Sequence, residues 1–346
     1  MKYHLQTLAE TGACWSDFGP YVPCLSPTGA VAFQATLPSG GSGLYLAQAN
    51  AIHCLFESDF GPFSHFYSHP DLNQSQALCF YATLPNRVAG VYLSEGKQLT
   101  PLAETGKVFE EIGPLGPTLN ENGEVAFRAN LKNGQVGIFK ASTQHGLSEI
   151  AKTGEDFSGF QGLPVISSSG EVLFRADLKN GKAGLFYWRS GQMIPLILTG
   201  EKCAELGAFP AWNAAGQVVF AATLNSGESG IFRLQTDQPS QTLKQIFSIA
   251  SGFSHFRGAL VNEAGKIIFF ATPKGGQLGL FTGPDPVQDK LLGIGDSWQA
   301  AKVAEKVAEK VVEFALNAVS FNQQGQIALR LKLSNGQGLI LRADLV

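Results

Sequence analysis

The stretch Asn120-Glu121-Asn122-Gly123-Glu124-Val125-Ala126-Phe127-Arg128-Ala129-Asn130-Leu131, followed after a polar hairpin by Gly137-Ile138-Phe139, decides how this chain folds. Its Asn-x-x-Gly step supplies the positive φ of a tight hairpin, and the apolar run after it reads as a strand. The pattern returns as Ser167-Ser168-Ser169-Gly170-Glu171-Val172-Leu173-Phe174-Arg175-Ala176-Asp177-Leu178 with Gly184-Leu185-Phe186. Working outward, the turn position falls at Gly29, Gln76, Gly123, Gly170, Gly216, Gly265 and Gly325, with spacings of 47, 47, 47, 46, 49 and 60 residues. A second glycine follows at Gly43, Gly90, Gly137, Gly184, Gly230, Gly279 and Gly338, 14 residues on in each unit except the last, where it is 13 on. One hairpin length is therefore held across the units.

Each unit reads as four antiparallel strands, as in Leu163 to Ile166, the run through Phe174 to Leu178, Leu185 to Trp188 and Met193 to Leu198. Such a sheet cannot bury both faces alone, so units of this length pack face to face around an axis. The expected fold is all-β, a seven-bladed β-propeller of four-stranded antiparallel blades forming a single domain over residues 1–346. The last unit stops at its third strand, Leu339 to Asp344, while Tyr3 to Gly12 matches the fourth strand Gln98 to Gly106. The N-terminal strand is expected to close the seventh blade and remove two free edges. The surplus before the last unit falls in Gln299 to Val311. There Val303, Val307 and Val311 stand at i, i+4, i+8, beside the pairs Lys302/Glu305 and Lys306/Glu309. This spacing predicts a short helical insertion over about 298–312, capped by Ser297, as a lid, a docking helix or a packed surface insertion.

The chain resembles a family of bacterial tandem-repeat propeller proteins, common in cyanobacteria and planctomycetes. Their units read N-x-x-G-x-[IV]-[AV]-F-x-A-x-L, then G-[IL]-[FY], then [IV]-A-x-[TV]-G-[DE]. The resemblance covers nearly the whole chain, and Ile294 to Trp298 with Phe321 to Arg330 is similar to the family's terminal unit, Leu329 standing for its phenylalanine. Unit two lacks the turn glycine, and unit six has Pro273 where leucine is usual. The resemblance implies a propeller and assigns no activity.

Forty glycines and seventeen prolines exclude a helix bundle, and 25 basic against 28 acidic residues argue against nucleic acid as a partner. The first residues lack a signal-peptide h-region and no run is apolar for long enough to span a membrane, so the expectation is a soluble, cytoplasmic protein with no membrane partner. Cys14, Cys24, Cys54, Cys79 and Cys203 form no C-x-x-C pair, which points to reduced thiols.

Seven equivalent segments preceding the blades carry an aromatic-x-x-aromatic pattern or its apolar equivalent, among them Trp15-Ser16-Asp17-Phe18, Phe63-Ser64-His65-Phe66 and Phe253-Ser254-His255-Phe256. Its third position runs Asp17, His65, Glu111, Gly159, Glu205, His255 and Glu313 around the ring. Read as connecting loops, these place carboxylates and imidazoles at the mouth of the axial channel, where they can hold a divalent cation, bind a polar ligand or act as acid and base. His65, His255, His69, Glu111 and Glu205 are the catalytic candidates. Asp17, Tyr67, Trp15, Trp298 and Glu313 are the ligand-binding candidates, with Tyr67 and His69 drawn from the aromatic-rich loop of the second unit. Arg128, Arg175 and Arg330 share one strand position, four residues after Glu124, Glu171 and Gln326, and are expected to form ion pairs within or between blades, or to bind a ligand carboxylate. Signatures of common hydrolase, calcium and nucleotide sites are absent. The sequence thus favours a binding or interaction module that takes a small-molecule or protein ligand at the channel face. The alternative is a lyase, hydrolase or other acid-base enzyme at the channel mouth. A lectin-like binder would need like pockets between all blades, against the unequal loops.

Overall fold

The repeat places one large apolar side chain at the centre of each unit. Phe33, Phe80, Phe127, Phe174, Phe220, Phe269 and Leu329 are all at most 1% exposed. The computed structural model describes residues 2–298 and 308–346, and around these side chains it forms seven antiparallel sheets, a seven-bladed β-propeller. The fourth blade shows the plan, with strands Phe157–Ile166, Val172–Leu178, Ala183–Arg189 and Gln192–Leu198 paired in sequence order. Among the described residues no helix is long and apolar enough to cross a membrane.

The N-terminal strand closes the ring as expected. Tyr3–Glu10 pairs antiparallel with Gly338–Leu345, from Tyr3 opposite Leu345 to Glu10 opposite Leu339. The closure also reproduces a bond made inside other blades. Thr105, Thr153 and Thr199 accept a hydrogen bond through Oγ1 from the backbone N–H groups of Ala89, Val136 and Ala183 at 2.9, 2.9 and 2.8 Å. Thr11 accepts one from Gly338 at 2.9 Å.

Pairing also explains the irregular last spacing. Gly43, Gly90, Gly137, Gly184, Gly230 and Gly279 each face the small residue of F-x-A, for example Ala82 opposite Gly90. In blade seven Leu339 takes that place opposite Leu331, and Gly338 pairs one step away with Lys332. Gly338 is therefore not the equivalent of the other second glycines. Their role is close approach. A Cβ on Gly90, Gly137, Gly184 or Gly279 would lie 2.5–2.9 Å from the ring of the aromatic residue two positions on. That ring lies across the glycine, and Leu341 at the corresponding place in blade seven needs no such space.

The turn position has positive φ in all seven units, including Gln76 at 64°. The residue that opens the turn does more. Asn73, Asn120, Asn213, Asn262 and Asn322 each accept a backbone N–H four residues on through Oδ1. Each also donates through Nδ2 to the backbone carbonyl of the equivalent residue in the next blade, at 3.2, 3.0, 3.0, 2.9 and 3.1 Å respectively. The last of these reaches Ser26 and joins blade seven to blade one. Ser26 and Ser167 cap their own turns through the hydroxyl but are too short to donate onward. A parallel set of staples runs two residues earlier. Thr118 donates to the Pro164 carbonyl at 3.0 Å, and Ser320 to the Pro23 carbonyl at 2.7 Å.

Of the helix expected over about 298–312, residues 299–307 lie outside the described residues. On either side the chain is extended: Ser297–Trp298 pairs with the start of Glu309–Ala315, Ser297 opposite Lys310 and Trp298 opposite Glu309. The expectation of helix at 309–312 is therefore corrected. Val311 is fully buried as part of the innermost strand of blade seven, whose pairing with Ile327–Leu333 decides its conformation over its helical spacing.

The belt of asparagines can be tested by removing and adding single links. Asn262→Ser keeps the turn cap and loses the bond to the next blade, and is expected to cost about 0.5–1.5 kcal/mol. Ser167→Asn is expected to gain a similar amount by adding a missing link. Urea unfolding midpoints measure both, and no change in either variant would contradict the role given to the belt.

Candidate functional site

The aromatic-x-x-aromatic segments are not loops, which corrects the expectation drawn from sequence. In blades two to seven they open or lead into the innermost strand, as in Phe109–Ile112 and Cys203–Leu206 with a buried-exposed-exposed-buried pattern, and in blade one residues 15–18 make the single bridge between Asp17 and Thr36. The first aromatic packs edge-on against the ring that covers the second glycine, with centroids 4.7 Å apart for Phe63 and Tyr92 and 4.9 Å for Phe109 and Phe139. The third position faces the far end of the second strand, so its side chain meets protein groups before it meets the axis.

Most of the anticipated ring is tied up in this way. Asp17 accepts the backbone N–H groups of Phe18 and Gly19 at 2.8 and 3.0 Å. Glu111 accepts from Asn130 at 2.8 Å, and Glu313 is ion-paired with Arg330. The His65 Nδ1 lies 3.2 Å from the Ser42 hydroxyl of the preceding blade, whose oxygen also accepts the Phe66 N–H at 2.9 Å. Burial against this neighbour lowers the His65 pKa. Among the described residues no three His, Cys, Asp or Glu side chains come together as a metal-binding group. The ring positions therefore do not converge on one cation.

The arginines stand between blades. Arg128 donates through Nη1 to the Phe160 carbonyl at 2.8 Å, and Arg330 reaches the Pro20 carbonyl as well as Glu313. Arg175 pairs with Asp177 at 3.0 Å. Glu124 and Glu171 instead pair with Lys140 and Arg189, at 2.8 and 3.1 Å.

Tyr67 and His69 belong to the innermost strand of blade two, bulged at Ser68 with a φ of 70°. The Tyr67 ring lies 5.5 Å from Tyr81, and the hydroxyls of both are buried without partners. His69 is buried against Gly116, Nδ1 bonded to the Pro70 carbonyl at 3.1 Å and Nε2 unpartnered. It is thus a wall residue rather than a surface one, and burial lowers its pKa to about 4. Trp15 packs in an aromatic cluster, 5.2 Å from Tyr45 and 5.9 Å from Phe33. Trp298 packs half-buried on the core of the last two blades.

Glu205 and His255 are the exceptions. Neither makes a hydrogen bond or ion pair among the described residues, and both line one crevice of about 180 Å³ between blades five and six, with Thr223, Ser229 and Arg257. The cause is local. In each blade the residue after the aromatic-x-x-aromatic segment lies beside the x of F-x-A. These pairs are Gly19/Gln34, Tyr67/Tyr81, Gly113/Arg128, Gln161/Arg175 and Ala315/Arg330, while in blade six Arg257 is bulged and Gly258 faces Phe270, and each place holds at least one large side chain. In blade five the pair is Gly207/Ala221, and the space is left open.

Arg257 also lines a second cavity of about 220 Å³ on the axial side, walled by Leu163, Phe209, Pro210, Leu260, Phe270, Leu278, Phe314 and Leu316. Phe270 and Phe314 stack with centroids 6.0 Å apart, and Phe209 stands 47% exposed at the rim. Arg257 is exposed and makes no ion pair among the described residues. An apolar chamber and a polar crevice thus meet at one unpaired guanidinium. Next to the chamber, sharing Val165 and Ala318 with it, lies a polar cavity of about 200 Å³ to which all seven blades contribute. The sequence reading found Glu205 and His255 but missed Arg257, Phe209 and the chamber. The available signal was Ala221, the one small residue in a column of large ones.

No protein-family model matches the chain, and no curated protein matches it in sequence. Solved structures do match. The oligogalacturonate lyase of Vibrio parahaemolyticus aligns over 100% of this chain and 99% of its own with a TM-score of 0.59 at 12% identity. The acylaminoacyl peptidase of Pyrococcus horikoshii aligns over 94% of this chain with a TM-score of 0.52 at 12% identity, and this chain spans 53% of it. At such identities the likeness is one of fold alone.

Two titrations test this account of the walls. Asp71 in the innermost strand of blade two is buried, which pushes its pKa up to about 7 against the pull of N–H bonds from Leu119 and Leu72, with Glu121 adding to the rise. A raised folded pKa gives stability that is full below about 4 and lost as pH rises through about 7. The depressed His69 value acts oppositely, its contribution being lost as pH falls from about 6.5 through about 4. Asp71→Asn is therefore expected to make urea-measured stability climb more steeply from pH 4 to 7 than in the parent chain; an unchanged slope would contradict it. His65→Ala is expected to cost about 1 kcal/mol by breaking the contact with Ser42, and His255→Ala less than about 0.5 kcal/mol, which thermal melts distinguish.

Proposed function

We propose that this propeller is a ligand-binding module whose site is the chamber walled by blades four to seven together with the crevice between blades five and six, Arg257 lining both. The observation that carries the reading is the Gly207/Ala221 pair, which leaves out the large side chain found at this place in the other blades and so opens a crevice that shares Arg257 with the apolar chamber. A concave, largely apolar cavity with few polar groups fits a small molecule better than a flat protein surface does. The cavities differ in wall chemistry from blade to blade, the wider groove between blades three and four being edged by Glu149, Lys152, Glu155, Asp156 and Lys179, which fits a single ligand in the apolar chamber rather than a lectin-like array. The repeat motifs support placing the chain in the bacterial tandem-repeat propeller family it resembles, and its free cysteines fit a reducing compartment such as the cytoplasm.

A second reading, acid-base catalysis on the bound ligand, is favoured by one observation. Glu205 and His255 face the same crevice with no other partner. Their roles would be general base and general acid.

The test is a fragment screen by saturation-transfer NMR using neutral, cationic and anionic probes. Ala221→Phe fills the crevice as Phe270 does in blade six, and Gly258→Leu fills the chamber, where an added Cβ meets nothing within 4 Å. Hits on the parent chain that vanish in these folded variants are expected. Hits that persist in both, or none at all, would contradict the reading.

A further inference from the structure

We infer that the ligand of this site is an amphipathic monocarboxylate, one ring or a short branched chain bound in the chamber with its carboxylate on Arg257. The inference rests on the site reading above and adds the ligand's chemistry. Size comes first. A dry cavity of about 150 Å³ accommodates benzene, so about 220 Å³ admits one ring with a tail of two or three atoms. The walls come next. Leu163, Pro210, Phe270 and Phe314 offer no charge and little to hydrogen-bond, so the body of the ligand must be apolar.

The head group follows from the charges that face the opening. Arg257 lines both cavities, and among the described residues its guanidinium pairs with no carboxylate. Of the nearby acids, Glu313 is held by Arg330, and Glu205 lies on the crevice wall without contact to Arg257. A fork of N–H donors without a protein acceptor is matched in geometry by a carboxylate, which it binds through two parallel bonds. The stacked Phe270 and Phe314 rings, with exposed Phe209 at the rim, add an aromatic surface for a planar body.

Isothermal titration of the full chain with 3-phenylpropionate and with its neutral isostere 3-phenylpropionamide tests the inference. The acid is expected to bind with one-to-one stoichiometry and the amide about tenfold or more weaker, since a hydrogen bond to a charged group contributes about 1.5–3 kcal/mol. Arg257→Ala, an exposed position, is expected to lower affinity for the acid to that of the amide. Gly258→Leu is expected to abolish binding of both, with circular dichroism melts establishing that each variant folds. Equal affinities for acid and amide, or unchanged acid binding by Arg257→Ala, overturn the inference. If neutral or cationic fragments bind and are displaced by Gly258→Leu while the acid does not bind, the inference falls and the site reading stands. If no probe binds, both fall.

Discussion

A ring of separate sheets has no backbone ladder running from one blade to the next, so side chains must supply the directional bonds that hold its circumference. Here those bonds lie beside the axis. Each turn asparagine uses its oxygen to cap its own hairpin and its amide nitrogen to reach the next blade's carbonyl. One residue therefore fixes both the local turn and the angular position of its neighbour, and both functions depend on a side chain of that length. Serine at positions 26 and 167 performs only the first. Interblade staples from Thr118 and Ser320, and the docking of the N-terminal strand on Gly338–Leu345, extend the same principle along the innermost and outermost strands.

With the circumference fixed, differences between blades become spaces or plugs rather than changes of architecture. Buried phenylalanines and the rings lying over the second glycines make each blade alike at its centre. Variation concentrates beside the innermost strand, where glutamine, tyrosine, arginine or phenylalanine fills the gap to the next blade. Arg128 and Arg330 fill it while bonding to carbonyls across the gap. Gly207 and Ala221 leave it open, and a cavity follows with no change in backbone plan.

The fold was legible because each repeat position has one dominant physical cause. Positive φ marks the turn, burial marks the phenylalanine, and close packing marks the second glycine. The unmatched last strand announced the closure. The site was less legible because it depends on which neighbour occupies a shared space. Asp17, Glu111 and Glu313 have the same place in the repeat as Glu205, yet Asp17 caps its own backbone and the other two are bound by Asn130 and Arg330. The two Phe-Ser-His-Phe copies look alike in sequence. His65 is held by Ser42, whereas His255 lines an open crevice that Ser229 shares. The helical spacing of Val303, Val307 and Val311 misled at its end, because Val311 is claimed by the innermost strand of blade seven. His69 looked like a surface ligand because the bulge at Ser68, which turns it into the wall, has no signature in composition.

The ligand site proposed here depends on a dry apolar chamber walled by blades four to seven, reached beside the crevice that Gly207 and Ala221 leave open. A crystal structure determined under xenon pressure tests it most directly, because xenon enters dry apolar cavities and ignores charged ones. Xenon is expected between Leu163, Phe270 and Phe314, and not at the corresponding places of blades one to three. Xenon spread evenly over the blade junctions, or absent from that chamber, would contradict it.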